Sequence, residues 1–304
     1  MNHGWSYRDQ VGSAAAGLTA LDYLAATRSH STADEWVDRF ERGEIEIDGM
    51  RANPATVLPL GRILVWHRPP WDEPAVPTNF ALVYEDESLV AVDKPSGLQT
   101  MPAGGFLEHT LMHLLRQHIP QASPLHRLGR YTSGLVLFAR THAAAAVLSK
   151  AWRDREVKKT YRALGSGVST RDRIEIDAAI GPLPHPHLGS VHAASTAGKP
   201  SRSVATVLER GEHDTLFSVD IATGRPHQIR IHLAYAGHPL VGDAVYANGG
   251  VIKDDPGLPG DGGYFLHSEQ LRFSHPVTGR TLHLRAPAPA ALRTTAEASL
   301  IQSS

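Results

Sequence analysis

Between Arg68 and Pro77 the chain places four prolines in ten residues, and neither a regular helix nor a paired central strand can run through such a segment. Each proline lacks the backbone N–H that either ladder needs and fixes its own φ, so the stretch reads as an extended linker. The chain is therefore expected to fold in two parts. We expect a small module over residues 15–68, a linker over 69–78 and a large domain over 79–290, with residues 1–14 a flexible tail and 291–304 a C-terminal tail. With 304 residues, 41% hydrophobic and 20% charged, there is material for one large core and a small second one.

In the small part, Leu18, Leu21 and Leu24 recur at helical spacing, and Trp36, Val37 and Phe40 share one face of a second expected helix over Ala33 to Arg42. Ile45 and Ile47 then alternate with charged residues, Asp48-Gly49 supplies a hairpin turn, and Ile63 to Trp66 makes a return strand. In the large part, Phe80–Tyr84, Leu89–Val92, Gly134–Ala139, Lys159–Leu164, Arg202–Leu208, Phe217–Ile221 and Arg280–Leu284 read as strands. Helices are expected from His142, capped by Thr141, to about Glu156, and over Gln228 to Ala236. The segment Gly181–Lys199, rich in Gly, Pro and His, reads as a long loop or mobile hairpin. Many short strands and few helices, with no βαβ repeat, predict an α+β fold with a mixed, largely antiparallel sheet.

Several function classes are excluded or made remote by composition. There is no cysteine, which removes disulfides and thiolate metal sites and fits a reducing, cytoplasmic compartment. Eighteen histidines are present, but pairs such as His185/His187 and His227/His232 lack a third ligand at useful spacing, so no metal is expected. No apolar run reaches the length of a membrane span, and the apolar stretch Val11–Leu21 is too short for one. No Gly-x-Gly-x-x-Gly is present to hold a nucleotide cofactor. The net charge of -1 hides a local asymmetry: from His126 to Arg162 there are nine Lys or Arg against two acids, a candidate phosphate-facing stripe.

Residues His126–Leu135 read H-R-L-G-R-Y-T-S-G-L. This segment resembles the signature H-R-L-D-x-x-T-S-G-L of RNA pseudouridine synthases of the RluA type, with Gly129 where that family carries its catalytic aspartate. Four further blocks resemble the same family in the same order: Tyr84–Glu87 through D-K-P-S-G-L at 93–98, E-V-K-K-T-Y-R-A at 156–163, T-G-R-P-H-Q-I-R-I-H at 223–232 with G-D at 242–243, and L-H at 266–267 with F-S-H-P-V-T-G at 273–279. The E-R-G-E-I-E-I-D-G run of the small part resembles the RNA-binding module of the ribosomal-protein-S-four type. From Arg28 to Arg51, however, that module has four Arg against seven acids, so a spacing or docking role stands beside RNA binding.

The resemblance implies a pseudouridine synthase core and isomerisation of uridine to pseudouridine in structured RNA, ribosomal or transfer. The base must leave the stack, and charge must be managed at the anomeric carbon, a task the family gives to a carboxylate as nucleophile or base. It further implies Arg225 as the partner of that carboxylate and Tyr161 as the ring that stacks on the flipped uracil. Arg127, Arg130, Lys158 and Lys159 are the expected RNA contacts, and His126 and His227 are read as orienting or packing residues. No cofactor is implied, since the isomerisation needs no redox carrier. Glycine supplies neither nucleophile nor base. Either another carboxylate (Asp86, Asp93, Asp220 and Asp243 stand nearest the motifs) or an altered mechanism serves Arg225, or the chain holds RNA without chemistry. A different nucleoside-acting enzyme is a third, remoter reading.

Overall fold

The computed structural model describes residues 1–302 except Ser29 and His187, so the pair His185/His187 lies partly outside the described residues. The chain divides into two compact units, Met1–Glu73 and Pro74–Ser304.

In the first unit, two helices, Ala20–Thr27 and Ala33–Glu41, lie against a four-stranded antiparallel sheet ordered Trp5–Gln10, Ile63–Arg68, Ile45–Ile47, Met50–Arg51. Both helices start where a threonine can cap them. The Thr19 hydroxyl accepts from the Asp22 amide, and Thr32 and Glu35 form a reciprocal capping box. Trp36, Phe40, Leu24, Ile45, Leu64 and Trp66 meet in one core. Residues 1–14 are not a loose tail. Trp5–Gln10 pairs along its whole length with Ile63–Arg68, Tyr7 stacks on Trp66 at 5.1 Å, and Val11 is 1% exposed. The polar run W-S-Y-R-D-Q hides an edge strand held by backbone pairing, the Tyr7–Trp66 stack, a Ser6–His67 hydrogen bond and the Asp9–Arg28 ion pair.

The second unit is built on a ten-stranded mixed sheet. Its main path runs Arg173–Ile176, Ser203–Arg210, Asp214–Ile221, Lys158–Ser166, Leu266–Ser274, Thr132–Ala139, Leu89–Lys94 and Ala81–Glu85. Every pairing is antiparallel except that of Leu266–Ser274 with Thr132–Ala139, which is parallel. All eight residues of Thr132–Ala139 are buried. Val90, Val92, Val136 and Phe138 face one layer with Leu111, Leu115, Ile229 and Leu233. Leu89, Ala91, Leu135 and Leu137 face the other with Ala144, Leu148, Leu271 and Phe273. A strand covered on both faces has no reason to alternate, which is why G-L-V-L-F-A reads as a continuous apolar run. The helix His142–Arg153 starts at Thr141, whose hydroxyl accepts from the Ala144 amide at 3.1 Å. Gly181–Lys199 contains a two-stranded hairpin, Ile180–His185 with Gly189–Ala194.

The end of the chain also departs from the expected tail. Ala290–Leu292 forms a short 3-10 turn, Thr295–Gln302 a helix, and Leu292 is 1% exposed. Arg162 holds this segment to the sheet: it donates to both carboxylate oxygens of Glu297 at 2.5 and 2.7 Å and lies 3.0 Å from Glu269. The nine cations of 126–162 are therefore not one stripe. Arg162 is an internal strut, while Arg140 pairs with Glu85 and Lys150 with Asp154.

Candidate active site

Three strands at the middle of the sheet bring distant motifs together. Thr132 lies opposite Leu266 and Gly134 opposite Ser268 across the parallel pairing, while Tyr161 faces Ser268 from the other side. Each residue of T-S-G has a local cause. The Thr132 hydroxyl is 3.2 Å from the Tyr264 hydroxyl, and the Ser133 hydroxyl is 2.9 Å from His267 Nδ1. Gly134 has φ +101°, and a Cβ there would lie 2.3 Å from the Ser268 carbonyl oxygen. Only glycine permits both the conformation and the approach.

The loop ahead of this strand is clamped by the K-P-S-G turn. The Lys94 ammonium, fully buried, donates to the carbonyls of Pro95, Leu98 and Arg130 at 2.9, 2.7 and 3.1 Å. Arg130 completes the clamp by donating from Nε to the Gly97 carbonyl, and its guanidinium lies 4.6 Å from the Phe106 ring centre. Its guanidinium is thus engaged within the protein.

Arg127, Gly129, Lys159, Tyr161 and Arg225 border one cavity of about 330 Å3, together with Arg230 and Tyr264. Arg130 and Lys158 do not border it. Lys158 is exposed, and the strand's alternation turns it away from Lys159 and Tyr161. Arg225 sits in the T-G-R-P turn, which Gln228 shapes from within the next helix: its side-chain oxygen accepts from the Thr223 hydroxyl and the Arg225 amide at 2.6 and 3.1 Å. The buried Arg225 Nε has no hydrogen-bond partner among the described residues.

Electrostatics separate working groups from supports. Burial pushes the Tyr161 hydroxyl up to about 12, so it is a neutral phenol at neutral pH. Burial also lowers the Lys159 ammonium from its ordinary value. His126 is driven down to about 3, first by burial and then by the nearby Lys159 charge; its Nε2 accepts from the Leu137 amide and its ring stacks on Trp152. His227 also falls to about 3, through burial and then Arg230, with Nδ1 bonded to the Tyr246 hydroxyl at 2.7 Å. Both rings are neutral at neutral pH. Arg230 is locked onto Asp243 by two hydrogen bonds of 2.7 and 2.8 Å, with the side chains 2% and 1% exposed.

No carboxylate borders the cavity among the described residues. Asp243 is committed to Arg230, Asp86 to Tyr84 and His275, and Asp220 to the Thr160 hydroxyl, while Asp93 borders a separate cavity of about 660 Å3. Arg230, Gln228 and Tyr264 were not singled out by the motifs. The first two lie inside T-G-R-P-H-Q-I-R, where any polar residue could have been a surface one; Tyr264 lies outside every quoted block.

A family model described as RNA pseudouridylate synthase matches residues 88–235. The chain is 44% identical to an uncharacterized RNA pseudouridine synthase, slr1592, of Synechocystis, over 90% of this chain and 95% of that one. It is 34% identical to the ribosomal large subunit pseudouridine synthase D of Neisseria meningitidis, over 88% and 74% respectively. The structure of human RNA pseudouridylate synthase domain containing 1 superposes with a TM-score of 0.59 at 25% identity, covering 76% of this chain and 97% of that one. The mixed sheet is the fold of that structure, the motifs converge on its central strands, and the chain belongs to the RNA pseudouridine synthase family of isomerases.

Proposed function

We propose that this chain isomerises uridine to pseudouridine in a structured cytoplasmic RNA, with the cavity of Gly129, Tyr161 and Arg225 as its active site. The observation that carries the reading is the convergence of three motifs, separated by up to about a hundred residues, on one cavity whose size suits a flipped nucleoside. Tyr161 offers its ring to the uracil, with a neutral hydroxyl near the C5 edge. Arg225, whose Nε has no hydrogen-bond partner among the described residues, is available to engage the sugar or phosphate of the target. Arg127 and Lys159 add positive charge at the rim and wall, and Arg130 and Lys158 act outside the cavity, the first by fixing the signature loop. Gly129 stands at the position of the family's aspartate. Ribosomal RNA is the favoured substrate, since the Neisseria relative is named for the large ribosomal subunit; transfer RNA is the other class. Residues 1–73, including the N-terminal edge strand, act as an accessory module of the ribosomal-protein-S-four type, and the acidic balance around its second helix suits spacing or docking better than phosphate contact.

One observation favours a second reading, an RNA-holding paralogue without chemistry: the cavity has no carboxylate among its described lining residues. Mapping pseudouridine on cellular RNA with and without the gene separates the two. A modified site lost on deletion, restored by the native gene and not by Arg225→Ala, establishes the synthase. Unchanged modification, with RNA binding that falls steeply with salt, establishes the holder.

A further inference from the structure

The space beside Gly129 is already taken. A Cβ built on Gly129 would lie 2.8 Å from the Tyr264 hydroxyl and 3.6 Å from Thr132 Oγ1. Backbone strain is not the issue, because Gly129 lies outside the left-handed region. A carboxylate oxygen stands two bonds beyond Cβ, so the Tyr264 oxygen lies at about the reach where an aspartate at 129 would carry its own. The phenol is also fixed. Tyr264 is 4% exposed, its ring lies 4.3 Å beneath the guanidinium of Arg230, and Arg230 is itself held by Asp243. Thr132 Oγ1, at 3.2 Å, anchors the hydroxyl from the signature strand. Gly129 and Tyr264 thus look like one exchange: the side chain removed from the loop is answered by a hydroxyl brought in from the segment just ahead of the Leu266–Ser274 strand.

We propose that Tyr264 is a catalytic residue, its hydroxyl oxygen engaging C1′ of the target nucleotide in place of the absent carboxylate. This rests on the reading of the cavity as a synthase site. The phenol oxygen attacks C1′, the N1–C1′ bond breaks with its electron pair leaving on the uracil, and the phenol proton passes to N1. After the uracil has turned, C5 attacks C1′, the bond from C1′ to the tyrosine oxygen breaks, and the proton released from C5 returns to that oxygen. Uridine has become pseudouridine and the enzyme is restored, with no oxidant, reductant or added group. Tyrosine is among the side chains able to form such covalent glycosyl intermediates.

The test compares the native protein, Tyr264→Phe and Gly129→Asp/Tyr264→Phe on an RNA carrying the mapped uridine. Tyr264→Phe keeps the ring and its contact with Arg230 and removes only the oxygen. The expected result is a fall in kcat of about a hundredfold or more, with RNA Kd within about threefold and Tm unchanged, and at least about tenfold recovery in the double variant. A Tyr264→Phe protein with native kcat overturns this inference and leaves the synthase reading standing; a native protein that forms no pseudouridine overturns both. A second arm needs no variant: native protein is stopped during reaction with RNA bearing 2′-fluorouridine at the target, and the covalently held nucleotide is located by mass spectrometry. Attachment at Tyr264 supports the proposal, and attachment at any other side chain overturns it.

Discussion

Asp243 and Arg230 are buried as a forked ion pair, and a fork of this kind is costly to break from one side. Asp243→Ala leaves a guanidinium in the cavity wall with no counter-charge and is expected to cost about 3–5 kcal/mol, read from urea unfolding. The two supporting histidines give a pH prediction. His126 and His227 titrate at about 3 in the folded protein and near 6.5 when unfolded, so below 6.5 the unfolded chain takes up protons that the folded chain does not. Stability is therefore full above about pH 6.5 and falls as pH drops toward 3, by on the order of 2 kcal/mol for each histidine at pH 5. His126→Gln, which keeps an acceptor for the Leu137 amide, should flatten its share of that slope in Tm against pH. Residue by residue, the sequence disclosed what has a fixed neighbour in its own motif. Arg225 and Tyr161 could be picked out because the letters around them carry the pattern; Tyr264 could not, because its meaning is a distance to Gly129, more than a hundred residues away.

The Thr132–Ala139 strand works only because one of its residues has no side chain. Gly134→Ala combines a forbidden φ with a Cβ driven into the Ser268 backbone, and separates the strands that hold the signature and the closing block. We expect a loss of roughly 4 kcal/mol or more, seen as collapse of soluble yield or of Tm, whereas Gly129→Ala should cost less because its φ is unstrained and its Cβ meets a side-chain hydroxyl rather than backbone. Elements covered on both faces were readable as apolar runs, and the helix capped by Thr141 was readable at its start, whereas the short helix Leu111–Arg116, capped by Thr110, was not anticipated. Nor were the N-terminal edge strand and the C-terminal helix. The first is held by backbone pairing to a strand more than fifty residues later, and the second by Arg162 and Glu297, a tie between charged residues that looks in sequence like two surface positions.

For the whole molecule a net charge of -1 offers no general attraction to RNA, so binding must draw on local cations. Arg127→Ala is expected to weaken RNA binding across sequences and to lower the slope of log K against log salt by about 1, measured by titration at several salt concentrations. The division at Glu73/Pro74 has its own check: limited proteolysis should cut first within 69–80, which contains no helix or strand, and yield two stable fragments. The position of Leu266–Ser274 governs something else. Of all the strands on the main path of the large sheet it is the last to be made, yet it lies between Lys158–Ser166 and Thr132–Ala139. On the ribosome the nascent chain therefore carries two half-sheets, each with an open hydrogen-bonding edge, until about residue 274 has emerged. Stalled or prematurely terminated translation upstream of that point would release a polypeptide with every early motif present and its two edges unsatisfied, a natural client for chaperones and proteases.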